Sequence, residues 1–222
     1  MDIRSEHLHD WDITTREAVA LQKELRGKVL LRPFKASSIR TIAGVDVSVK
    51  DGFSRAAVSV LSFPDMQLIE NVTFKTKTLF PYVPGLLSFR EGPVILECMK
   101  VLATEVDLFV FDGQGLAHPR GLGLASHLGV ILGKPSIGAA KTRLYGTYDN
   151  PGGKKGAFSP LKDDTGREIG AALTTRDNTR PMFISPGHMC DVKSAINIIL
   201  ACCPKYRIPE PIRHAHATAY IK

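Results

Sequence analysis

The sequence predicts an α/β fold in which a three-strand antiparallel meander and a group of parallel strands share one mixed central sheet, with helices on both faces. Three observations predict it. Two β-rich runs are joined by Asp51-Gly52, and a pair of that kind favours the positive φ angles of a tight hairpin turn. Residues 107–111, DLFVF, are largely apolar without alternation, as expected of a strand covered on both faces. Downstream, helical and strand-like stretches alternate, which implies right-handed crossovers between parallel strands.

The elements follow in chain order. Residues 12–27 put Ala18, Leu21 and Leu25 on one helical face and stop at Gly27. The meander takes 41–50, 54–63 and 67–78, with turns at Asp51-Gly52 and Pro64-Asp65. An apolar helix spans 93–103. SFRE at 88–91 fits a capping box with Ser88 as N-cap, yet a helix from Ser88 would need an N–H at residue 93. Pro93 has none, so it is placed at the first helical position, which leaves Glu91 just outside the helix. The strand at 107–111, a helix at 121–134 and a short strand at 135–140 come next. A turn-rich interruption at 149–156 precedes a hairpin through 167–175, a strand in PMFIS (181–185) and a last helix at 191–202.

Composition narrows the function. A chain of 222 residues with 44% hydrophobic content supports one sizeable core, hence a single domain over 1–222, with a monomer as the default expectation. The formal net charge of +7 favours an anionic partner such as nucleic acid. Cys98, Cys190, Cys202 and Cys203 show no paired metal spacing, and the adjacent pair are poor disulfide mates, so zinc is not expected and a reducing cytoplasm is. No apolar run approaches a membrane span, and MDIRSEHLHDWD is too charged for a secretory signal.

The acids carry the chemistry. Asp112 follows LFVF directly, at the carboxyl end of a strand where ligands gather in such sheets. Asp46 sits mid-strand among apolar neighbours, where a carboxylate needs a partner or a metal. If the first strand lies beside 107–111, Asp46, Asp112 and Glu91 converge, and three carboxylates repel one another unless a cation neutralises them. Hard oxygen donors suit Mg²⁺, or Mn²⁺ as substitute. GQGLAH (113–118) and GLGLAS (121–126) begin like dinucleotide fingerprints but carry His118 and Ser126 at the last position, so a nicotinamide enzyme is not supported.

AGVDVS at 43–48, PYVPGLLSFRE at 81–91, FDGQGLAHPRGLGLASHLG at 111–129, IGAAKTRLYG at 137–146, PGH at 186–188 and YRIPEPIRHAH at 206–216 together resemble the endonuclease V family. The resemblance covers residues 40–216 and implies an RNase H-like fold. It also implies Mg²⁺-dependent hydrolysis of the second phosphodiester 3′ to deoxyinosine in DNA, which leaves a 3′-hydroxyl and a 5′-phosphate and initiates repair; inosine-containing RNA is the alternative substrate. Carried over by position, the metal ligands are Asp46, Glu91 and Asp112. Lys141 stabilises charge on the phosphate, and His216, a position that is His or Asp in the family, stands near the metal with His214 as its neighbour. Tyr82, on a loop stiffened by Pro81 and Pro84, is the wedge that holds open the base stack. The base pocket falls around Leu87, Gly113, Gly123 and Gly138, where backbone groups read the O6 acceptor and N1–H donor of hypoxanthine. His118 donates to a phosphate or orients water.

Overall fold

The computed structural model describes residues 9–220; most of the charged N-terminal stretch discussed above lies outside the described residues. β1 (Thr41–Lys50), β2 (Phe53–Ser62) and β3 (Leu68–Lys77) form the antiparallel meander. β4 (Leu108–Phe111) lies parallel to β1, and β5 (Ser136–Ala140) parallel to β4. β6 (Phe158–Lys162) and β7 (Glu168–Leu173) are the later hairpin, and β8 (Met182–His188) inserts antiparallel between β5 and β7. The eight strands make one sheet in the order β3-β2-β1-β4-β5-β8-β7-β6.

Helices cover both faces, as the sequence predicts. On one, α2 (Leu87–Lys100) and α3 (Leu124–Leu132) pack Ile95, Met99 and Leu128 onto Ala43, Val45, Phe109 and Phe111. On the other, α4 (Val192–Ala201) and α5 (Glu210–Ala219) pack Ile196, Ile199 and Ile212 onto Ile42, Leu108, Val110 and Ile137. β4 thus buries alternate residues on opposite faces, which is why LFVF shows no polar alternation. The first helix, α1 (Thr15–Leu25), opens with Thr14 and Glu17 in a capping box. Among the described residues no helix is long and apolar enough to cross a membrane.

Two expectations are corrected. α2 starts six residues before Pro93 and holds Pro93 in its interior, so Glu91 is helical. The proline removes the N–H that would donate to the Phe89 carbonyl, a loss offset by burial of Phe89, Val94, Ile95 and Met99 on the same helix. The second correction is α5, an element the sequence pattern did not reveal. It crosses β1 at Gly44, where an added Cβ would stand 2.0 Å from the Pro211 carbonyl oxygen; only glycine lets the helix lie this close.

Candidate active site

The parallel register pairs Val45 with Phe111, so the next residues, Asp46 and Asp112, emerge side by side at the end of the shared ladder. The Asp112 N–H still donates to the Val45 carbonyl, at 3.0 Å. α5, held at Gly44, brings His216 to the same place, and its Nδ1 lies 2.6 Å from Asp46 Oδ2. Directly after β5, Lys141 forms an ion pair with Asp112. One ligand atom from each of Asp46, Asp112 and His216 lies within 4.8 Å of the others.

Glu91 faces this group from α2. Burial, and then the charges of Asp46 and Asp112, push its carboxyl up to about 8, against a smaller opposing effect of Arg90. Burial and Asp46 likewise raise Asp112, with Lys141 and His216 acting the other way. Asp46 and Asp112 are thus the two anticipated ligands that the structure brings together, with His216 as the third member of the group within 4.8 Å, and Glu91 is not one of its members.

Beside Asp112 opens a pocket of about 330 Å³ lined by Tyr82, Gly85, Leu87, Gly113, His118, Gly123 and Lys141. Tyr82, on the loop before α2, is 70% exposed, and the Arg90 guanidinium lies 6.0 Å from its ring centre. Pro81 instead borders a larger cleft of about 480 Å³ on the outer side of α2, away from the acids. Gly138 is behind the pocket: a Cβ there would meet Gly115 N at 2.5 Å and Gly113 O at 2.6 Å. The glycine admits the protein's own backbone at 113–115, and so shapes the pocket wall from the rear.

His118 is placed differently from the phosphate donor anticipated. Its Nε2 bonds the Gly85 carbonyl at 2.9 Å and its Nδ1 accepts from the Arg120 N–H at 3.1 Å. Burial lowers it to about 4, so it is neutral and both nitrogens are committed. The same Gly85 carbonyl accepts from Arg120 Nη2 at 2.8 Å and Gln22 Nε2 at 2.9 Å. His118 and Arg120 thus pin the Tyr82 loop from within.

Sequence reasoning missed the groups that hold Lys141. Arg207 Nη2 donates to the Lys141 carbonyl at 3.1 Å and to the Pro181 carbonyl at 2.9 Å. Gln114 Nε2 donates to the Thr142 carbonyl at 3.0 Å. Gln114 and Arg207 both fall inside the quoted motifs, which was the only signal available; nothing local announces partners so far along the chain.

Comparison with known proteins gives a consistent picture. The family model described as Endonuclease V matches residues 23–217. An endonuclease V of Methanothrix thermoacetophila is 49% identical over 216 residues, 97% of this chain and 95% of that one. The crystal structure of endonuclease V from Streptomyces avermitilis superposes with TM-score 0.90 at 42% identity, covering 94% of this chain and 92% of that one. A Ciona intestinalis endonuclease V, crystallised with a 24mer DNA containing an inosine followed by a ribo-adenosine, superposes with TM-score 0.80 at 30% identity, covering 91% and 94%.

Proposed function

Since the chain belongs to the endonuclease V family, has the RNase H-like fold and is a nuclease, a hydrolase acting on DNA, we propose that it cuts DNA at deoxyinosine. The cut falls at the second phosphodiester 3′ to the lesion and initiates repair of deaminated adenine. The observation that carries this reading is the convergence of Asp46, Asp112 and His216 beside a pocket of about 330 Å³ that Asp112 helps to line.

Carboxylate oxygens with no thiolate among them fit Mg²⁺, with Mn²⁺ as substitute. Asp46, Asp112 and Glu91 would hold the ion, which when bound polarises the scissile phosphate and acidifies the attacking water. His216 directs Nδ1–H at Asp46, which leaves Nε2 free to take a proton. Lys141, already facing Asp112, offsets negative charge growing on the phosphate oxygens. Water oxygen bonds to phosphorus as the bond to the 3′-oxygen breaks, and that oxygen leaves as a hydroxyl once protonated. Tyr82 fills the gap left by the extruded nucleotide, and backbone groups around Leu87, Gly113 and Gly123 read the base edge. The chain acts as one unit over 1–222, as a monomer in the cytoplasm.

Nicking of a single-inosine duplex with Mg²⁺ tests the reading. The wild type should cut it, and Asp46→Ala and Asp112→Ala should each lose at least about 10²-fold in rate. An uncut duplex, or variants equal to wild type, overturns it. The ribo-adenosine in the Ciona complex favours a second reading, in which inosine in RNA enters the same pocket; kcat/KM on matched DNA and RNA oligonucleotides separates the two.

A further inference from the structure

The face of β1 that carries Asp46 continues past the acids. Side chains two residues apart along a strand share a face, so Ser48 and Lys50 follow Asp46. The register sets Arg55 of β2 opposite Ser48, and Phe53 opposite Lys50. On β3, Lys75 stands opposite Arg55, with its Nζ 4.9 Å from the Phe53 ring centre. Two contacts with α5 fix which face this is: Asp46 with His216, and Asn71 Nδ2 donating to Thr218 Oγ1 at 2.7 Å. The reverse face of the same strands, through Val47, Ala56 and Phe74, packs into the core beneath α2.

α5 covers this face at Gly44, Asp46 and Asn71. Toward the Asp51-Gly52 turn, Lys50, Phe53 and Lys75 are exposed, Phe53 by 43%. With Lys77, opposite Phe53 on β3, four cations and an aromatic ring therefore share the face that carries Asp46. On these strands, among the described residues, Asp46 is the only acid on that face; Asp51 is in the turn at its tip. From Asp46 to Lys50 the strand advances about 13 Å, the axial length of about four nucleotides in one strand of a B-form duplex.

We propose that this sheet face is the track for the nucleic acid flanking the cut phosphate, with Lys50, Arg55 and Lys75 facing its phosphates and Phe53 against a sugar or base. The occupant is set by charge complementarity and by continuity with the acids, and the inference rests on the nuclease reading of the adjoining site.

The test is fluorescence anisotropy of labelled duplexes, with and without inosine, titrated without divalent cation from 50 to 200 mM salt. Each phosphate contact contributes about 0.9 to the slope of log affinity against log salt. Arg55→Ala/Lys75→Ala should flatten the slope by about 1.8 on both duplexes, at unchanged Tm. Arg55→Lys should restore its half of the slope, and Phe53→Ala should weaken binding while leaving the slope alone. If the double variant fails to fold, Lys50→Ala and Lys75→Gln singly should each remove about 0.9. Slopes equal to wild type overturn the track and return the patch to other occupants, such as an acidic protein. Equal wild-type affinity for both duplexes counts instead against the inosine pocket, and the slope comparison still decides the track.

Discussion

Lys141 owes part of its position to Arg207, which does not line the substrate pocket. The Arg207 guanidinium bridges the carbonyls of Lys141, Pro181 and Arg180, a planar fork that a lysine cannot reproduce. Arg207→Ala should therefore lower kcat by about 10- to 100-fold through misplacement of the ammonium, with KM little changed and no rescue in Arg207→Lys. Single-turnover nicking read against substrate concentration checks it; a change confined to KM would count against positioning. Nothing in the sequence could announce this clamp, because Arg207 and Lys141 are 66 residues apart. Asp46 and Asp112 were legible for the opposite reason. A lone acid inside an apolar strand, and another directly after one, mark themselves by local contrast. Glu91 was misplaced relative to its helix, because the rule against interior proline was outweighed by burial of the helix around Pro93.

At the scale of elements, the meander and the β1–β4–β5 core could be read from turn pairs and apolar runs, whereas the place of β8 between β5 and β7 depends on pairing between strands distant in sequence. α5 was hidden by its prolines and histidines. Its signal was the buried set Ile212, Ala215 and Ala219, helical in spacing, with Pro211 tolerated in the first turn. Because α5 delivers His216 to Asp46, the space at Gly44 links packing to chemistry. Gly44→Ala would force a methyl against the Pro211 carbonyl, 2.0 Å away, and the backbone must shift to admit it. The expected cost is about 1–3 kcal/mol of overpacking, measured by urea denaturation. Residual nicking should fall further than the folded fraction accounts for, since His216 is displaced with the helix. Wild-type stability would show that α5 can slide without penalty.

For the whole molecule, the decisive feature is the number of histidines kept neutral inside. His9 donates Nδ1–H to the Asp10 carbonyl, so its Nε2 is the acceptor for His127 Nε2–H at 2.8 Å, and His127 Nδ1 accepts from Ser88 at 2.9 Å. This chain ties the segment around Trp11 to α2 and α3; a proton added to His9 Nε2 sets two N–H groups against each other, and one added to His127 Nδ1 displaces the Ser88 hydroxyl as donor. Burial, assisted by His9, pulls His127 down to about 3, and His118 stands at about 4. Between these values and the unfolded value of 6.5 the unfolded chain binds more protons than the folded one, so this stabilisation is complete above pH 6.5 and is lost as pH falls through the window. Each histidine contributes a slope of up to about 1.4 kcal/mol per pH unit. The site carboxyls, Glu91 above all, titrate in the opposite sense, so the informative quantity is a difference between variants. His127→Gln keeps an N–H for His9 but takes up no proton, and the acids cancel in the comparison. Urea denaturation at pH 7, 6, 5 and 4.5 should show wild type losing stability more steeply than His127→Gln, by up to about 1.4 kcal/mol per unit below pH 6.5. Parallel losses would mean that His127 binds protons equally in the folded and unfolded chains, and that the buried relay does not hold the N-terminal segment as described.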